Sequence, residues 1–175
     1  MSQAVAPPVV RWRLRAGARK SVLLVHIASA GAWLGVDVVM GVLVVTALVS
    51  DDGHTKALAF RALELVAVGP LLALGLLCLL SGIVLGLGSR YGLLRYWWVA
   101  AKLVLNLVLT GLVLVALAPE VVAHADQARQ FDAGLPVPLE VGQLVFPPIV
   151  SPAALLVAMT LAIFKPWGRI RRARG

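Results

Sequence analysis

Four long apolar runs separated by short polar stretches set the pattern of this chain. The first, Ser21 to Ser50, is long enough to cross a bilayer, yet it carries His26, Trp33 and Asp37 inside an otherwise apolar run. A transmembrane helix needs about 20 consecutive apolar residues. On that basis the chain is expected to form spans at 21–49, 57–88, 96–118 and 148–165. The turn Ser50-Asp51-Asp52-Gly53-His54-Thr55-Lys56 ends the first span. The second is longer than a crossing requires, so its first turns, Lys56 to Glu64, are expected to project beyond the hydrocarbon. Gly69-Pro70 interrupts it, and a Pro inside a helix removes a hydrogen bond and kinks the axis.

A short loop, Ser89 to Arg95, leads to Tyr96-Trp97-Trp98, the kind of aromatic anchor that sits at a bilayer interface. Span 3 is expected to end before Pro119. The longest loop, 119–147, holds a predicted short helix from Pro119 to Phe131 with Gly134 as its stop. Span 4 carries Pro152 in its first turns, where Pro is tolerated. Residues 1–20 form a basic tail, 21–166 the membrane domain and 167–175 a second basic tail. The first tail and the run behind it resemble a signal peptide, with Ala28-Ser29-Ala30 as cleavage site. The run continues for about twenty residues more, too long for a signal segment, and is read as a retained span.

Composition agrees with lipid as the solvent. Of 175 residues, 61% are hydrophobic and 14% charged, and the mean hydropathy is +0.94. A soluble domain carries roughly 25% charged residues. The net charge of +8 would suit nucleic acid, but the basic residues flank the spans, where membrane orientation explains them. With four spans, both tails share a side with Arg11, Arg13, Arg15, Arg19, Lys20, Arg90, Arg95, Lys165, Arg169, Arg171, Arg172 and Arg174, and no acid joins them. Asp51, Asp52, Glu120, Asp126, Asp132 and Glu140 fall on the other side, with Lys56 and Arg129. The expected fold is therefore an all-α four-transmembrane-helix bundle, multi-pass in a bacterial cytoplasmic membrane with both termini in the cytoplasm.

Helices in lipid associate through close packing of small residues. Ala28, Gly31, Ala32 and Gly35 form one such stripe on span 1. Gly75, Cys78, Gly82 and Gly86 form another on span 2. Each suits a contact within the chain or a homodimer face.

Ionisable groups at membrane depth are candidate functional residues. His26 and Asp37 lie about 20° apart around a helix and about 16 Å apart along it, so they share a face with Ala30 and Trp33 without touching. Asp37, Arg61 and Glu64 are expected to form an intramembrane ion cluster, either fixing helix register or serving as a proton or cation site. His26 and Lys102, with Asn106 one turn above, could line a pocket for a lipid headgroup, a quinone or a haem propionate. The competing readings are a Lys102 that snorkels past Trp97 and Trp98 and a His26 bonded to a backbone carbonyl. Bis-histidine haem ligation needs two imidazoles within the bundle, and His54 and His124 fall in polar stretches outside the predicted spans.

Cys78, the sole cysteine, excludes an intrachain disulfide and a thiolate zinc cluster. The spacing of His54, His124, Asp51, Asp52 and Asp126 matches no metal motif. No nucleotide-binding loop, His-Glu-x-x-His or serine triad appears, so no catalytic residue is assigned.

Leu24 to Gly35 (LVHIASAGAWLG) and Tyr91 to Leu103 (YGLLRYWWVAAKL) carry a resemblance. They resemble small four-helix integral membrane proteins of unknown function from high-GC Gram-positive bacteria. The resemblance rests on His26, Trp33, Gly35, Gly92, Leu93, Arg95, Trp97, Trp98 and Lys102, and covers spans 1 to 3. More remotely, the first-span His is similar to that of the copper-resistance D and membrane haem-protein families. Those would imply further in-span histidines, and Leu114-Val115-Ala116-Leu117 offers none. The functional expectation is an accessory membrane component acting through helix or lipid contacts. The alternatives are a cofactor protein using His26 and Lys102, and a small proton- or cation-coupled carrier using Asp37, Arg61 and Glu64.

Overall fold

The computed structural model describes residues 14–89, 93–166, 168 and 170. The tail residues Arg11, Arg13, Arg169, Arg171, Arg172 and Arg174, and the loop residues Arg90, Tyr91 and Gly92, lie outside the described residues. Six α-helices follow one another: α1 (Ala16–Val49), α2 (Gly53–Val66), α3 (Val68–Leu87), α4 (Trp97–Leu112), α5 (Ala118–Asp132) and α6 (Pro147–Phe164). A π-helical turn, Val113–Leu117, joins α4 to α5, and a 3-10 turn, Gly142–Val145, precedes α6. The elements combine into four long rods, α1, α2–α3, α4–α5 and α6 with its 3-10 lead, each long and apolar enough to cross a membrane. Only 17–28% of each hydrophobic window is buried inside the bundle. Leu24, Ile27, Val42, Leu80, Val115 and Ile163 point outward instead. In water such a surface would associate at once, whereas in lipid it is solvated. The chain is an all-α four-helix bundle and a multi-pass membrane protein.

Helix α1 lies against α2, α3 and α6. Its buried residues Ser29, Trp33, Asp37, Met40, Val44 and Ala47 recur every three or four positions, which is one face of an α-helix. Asp52 ends the turn after α1 by accepting from the His54 and Thr55 amides at 3.4 and 2.9 Å, so it caps α2.

Two prolines act differently from a simple break. The register slips at Ala67, one turn before Pro70, where the proline's missing N–H and bulky ring disturb the preceding turn. Span 3 does not end before Pro119. The widened π turn, in which the Ala118 N–H donates to Val113 O, precedes the proline without interrupting the rod. The predicted helix Pro119–Phe131 is thus α5, continuous with span 3 rather than isolated in a loop. The non-helical connection shrinks to about Ala133–Val141.

The rods differ in length. At 1.5 Å per residue, α1 runs about 51 Å and α6 about 27 Å. The short α6 matches a hydrocarbon core of about 30 Å. The end of α1 with α2 and α5 therefore projects past it at the end remote from the chain termini, here the distal end. There Phe60, Leu63, Val121, Ala125 and Ala128 are buried between α2 and α5. His124 packs edge-on to Phe60 at 5.1 Å, and His54 to Phe131 at 5.3 Å.

Of the two small-residue stripes, one is used. Gly75 lies under Trp33 and Gly82 under His26, where a Cβ would press on the facing side chain. Among the described residues nothing approaches within 4 Å of a Cβ placed at Gly31 or Gly35, and Ala28 and Ala32 are exposed too. The span 1 stripe makes no intrachain contact among the described residues.

Candidate functional site

Asp37 does not join Arg61 and Glu64. Arg61 pairs with Asp132 at 3.0 Å, and Glu64 with Arg129, which also holds Asp126 at 2.6 Å. The Arg61–Asp132 and Glu64–Arg129 pairs staple α2 to α5 at the partly exposed distal surface, where an ion pair contributes little to stability, while Asp126–Arg129 lies within α5. The helical phase separates the groups: Arg61 and Glu64 face α5, while Asp37 points to the bundle interior from α1.

Asp37 is 1% exposed. Its Oδ2 accepts from the Ser151 hydroxyl at 2.7 Å, and the Trp33 indole N–H donates to Ser151 Oγ at 3.1 Å. An indole N–H can only donate, so the single Ser151 proton is directed to the carboxyl. Helical spacing brings Trp33 and Asp37 one above the other on α1, and Ser151 reaches them from the second turn of α6. The Trp33 ring packs directly over Gly75, which has no side chain to hold it off.

The second carboxyl oxygen, Oδ1, is buried and has no hydrogen-bond partner among the described residues. No cation lies within ion-pair distance of it among the described residues. Asp37 borders a cavity of about 250 Å³ whose walls come from α1, α3, the α4–α5 rod, the 3-10 turn and α6. Trp33, Leu71, Val113, Leu144 and Val150 make those walls mostly apolar. Glu120, partly exposed, and Gln143, exposed, also border the cavity at the distal end.

A second polar layer lies about three turns nearer the termini. His26 Nδ1 is 3.0 Å from both Cys78 O and Ser81 Oγ. The Ser81 hydroxyl donates to Leu77 O and Cys78 O, so both neighbours of Nδ1 act as acceptors and the ring proton resides on Nδ1. Ser29 Oγ donates to His26 O, and Thr110 Oγ1 to Asn106 Oδ1. Lys102 Nζ lies 4.9 Å from the centre of the Trp98 ring, a cation–π contact. His26, Lys102 and Asn106 thus occupy the same region of the bundle, but His26 is bonded to α3 and Lys102 rests on Trp98. Among the described residues no group of three or more His, Cys, Asp or Glu side chains is placed to hold a metal ion.

Ser151 was not singled out by the sequence pattern, nor was the part Trp33 plays. The available signal was depth: Ser151 sits one turn into the shortest span, at the level Asp37 reaches on α1. No protein-family model, curated protein or solved structure matches the chain.

Proposed function

We propose that this membrane protein binds a small, largely apolar ligand inside its bundle, in the cavity that ends at Asp37. The observation that carries the reading is a cavity whose apolar walls are interrupted by Asp37, a carboxyl residue whose Oδ1 has no partner among the described residues. A buried polar atom without a hydrogen bond costs free energy, and natural structures hold few of them. A cavity bordered by several helices, apolar with one placed polar group, is the usual form of a small-molecule site. Its volume lies just below the ~300–1,000 Å³ range of ligand pockets, which favours a compact ligand. The positive-inside distribution supports placing both termini in the cytoplasm and the distal end outside. The likeness to small four-helix membrane proteins is compatible with this reading and adds no activity to it.

The test is binding of small apolar probes to purified protein in mild detergent, followed by calorimetry against protein-free micelles. Saturable binding that is lost on Ala116→Trp, a large side chain on the cavity wall, supports the reading. Partition indistinguishable from empty micelles overturns it.

A second reading, an accessory component acting through helix contacts, is favoured by the outward stripe Ala28, Gly31, Ala32 and Gly35. Small faces of this kind let helices approach closely in lipid. Gly31→Leu should then reduce self- or partner association, read by energy transfer between labelled copies, without changing the folded amount. The cofactor reading has a weaker basis, since His26 is the one imidazole of the terminal half. An absorption spectrum of the purified protein, oxidised and reduced, tests it.

A further inference from the structure

We infer that the occupant of the Asp37 cavity is one hydrocarbon chain of a bilayer lipid, which enters sideways from the distal leaflet. This rests on the cavity reading and names its ligand. The cavity has a closed back and an exposed window. Trp33, Asp37, Met40 and Leu71, from α1 and α3, form the back and are each 1% exposed. Leu112, Phe146 and Val150 line the same space and are 43%, 58% and 50% exposed, and Ala116 beside them is exposed too. The window therefore lies between two edges, the α4–α5 rod with Leu112 and Ala116 and the start of α6 with Phe146 and Val150. The π turn Val113–Leu117 belongs to the first edge and packs mainly on α3, α4 and α5 rather than on α6.

Depth identifies what meets this window. Thr110 and Trp33 both crowd Gly75, so they are level, and Leu112 is about 3 Å further along the rod. Val150 precedes Ser151, which bonds Asp37 from within α6. Both edges thus begin inside the hydrocarbon that α6 spans, where the medium against exposed Leu and Val is lipid chains. Apolar cavities stay dry, and a void forfeits contacts along its walls, so a neighbouring chain gains by entering. Shape selects a chain as well. On the rod the lining residues run from Leu109 through Val113 and Ala116 to Glu120 on one helical face, a strip about 16 Å long at 1.5 Å per residue. Gln143, Phe146 and Val150 face it with similar spacing. The space is drawn out along the bundle axis, the direction in which lipid chains run, and its volume of about 250 Å³ suits one chain. Glu120 and Gln143 mark its distal end, where the polar end of the lipid stays at the membrane surface.

The experiment photolabels the full chain in phosphatidylcholine vesicles with a phosphatidylcholine that carries a diazirine midway along one acyl chain. Adducts are located residue by residue by mass spectrometry. Val38, next to Asp37 but pointing outward, is the reference that every sample should label. Labelling of Leu71 and Trp33 at the back is expected in the wild type and lost in Ala116→Trp, with Val38 labelled as before. Val150→Trp closes the window from the other edge and repeats the test should Ala116→Trp fail to fold. A second arm uses phenyl(trifluoromethyl)diazirine, a small apolar molecule with no lipid attached. Labelling of Leu71 and Trp33 by this molecule but not by the lipid overturns the chain and leaves the cavity reading standing. Labelling of the back by neither overturns the cavity reading itself. Lipid labelling of the back that survives both tryptophan variants overturns the window as the point of entry.

Discussion

Gly75→Ala puts the layer around Trp33 under direct strain. A Cβ at this position would lie 2.8 Å from Thr110 Oγ1 and 2.9 and 3.1 Å from Cζ3 and Cη2 of Trp33. Two effects of opposite sign meet there. Alanine is the better helix former by about 1 kcal/mol. Adding a carbon to a packed interior costs about 1–3 kcal/mol when neighbours must shift. Trp33 is 1% exposed and bonded to Ser151, so it cannot yield cheaply. Gly111→Ala isolates the propensity effect, because none of the described residues approaches within 4 Å of a Cβ there. Gly75→Ala should therefore be about 1–3 kcal/mol less stable than Gly111→Ala, read as reversible unfolding in mixed micelles by circular dichroism. Combining it with Thr110→Ala removes one of the crowded atoms and should restore part of the loss, a coupling that distant sites do not show. Equal stability of the two alanine variants would refute the packing described for Trp33.

Three further outcomes follow from the described contacts. His26→Leu removes the bond from Nδ1 to α3, and polar bonds between membrane helices average about 0.6 kcal/mol, so a small loss in the same unfolding assay is expected. Asp52 has its carboxyl held below the ordinary carboxylate range by the Thr55 hydroxyl and amide that bond it. A group with a depressed folded pKa stabilises above its unfolded value and loses that contribution as pH falls through the folded one. Protection of the amides at the start of α2, their exchange rate relative to the free peptide, should thus fall below about pH 3.8 in the wild type, while Asp52→Ala should show the lowered protection already at neutral pH. Arg61→Gln breaks an exposed pair with Asp132; its effect on stability should be slight and should shrink further as salt is raised.

Much of the architecture is legible from hydropathy because lipid enforces it. Outward Leu and Val and punctuating polar turns mark four crossings, and the buried face of α1 follows from helical spacing alone. What escaped that reading depended on exact phase and on prolines. Pro119 looks like a terminator, but a π turn is a backbone adjustment with no side-chain signature. Asp37, Arg61 and Glu64 agree in depth, yet depth says nothing about which way each side chain points around its own helix. Arg61 and Glu64 found Asp132 and Arg129 on α5, which the sequence offers as a short helix within a loop rather than as the continuation of span 3 lying against α2. The Ser151 bond needed the register of α6 against α1, which two prolines at its start and one inside it obscure.

The unequal length of the rods separates two properties of this molecule. Because α6 stops at Pro147 while α1, α2 and α5 continue, the bundle has a notch beside Asp37. That notch is bounded by residues such as Gln143, Phe146 and Val150, which belong to a short turn and the start of α6. The seam of Phe60, Leu63, Val121 and Ala128 that holds the projecting helices together belongs to the same buried core as the chamber walls Trp33, Leu71, Val113 and Leu144. Gln143, Phe146 and Val150 are exposed instead. Substitutions at these three can therefore reshape the rim of the chamber at little cost to cohesion, whereas changes in its walls alter shape and durability together.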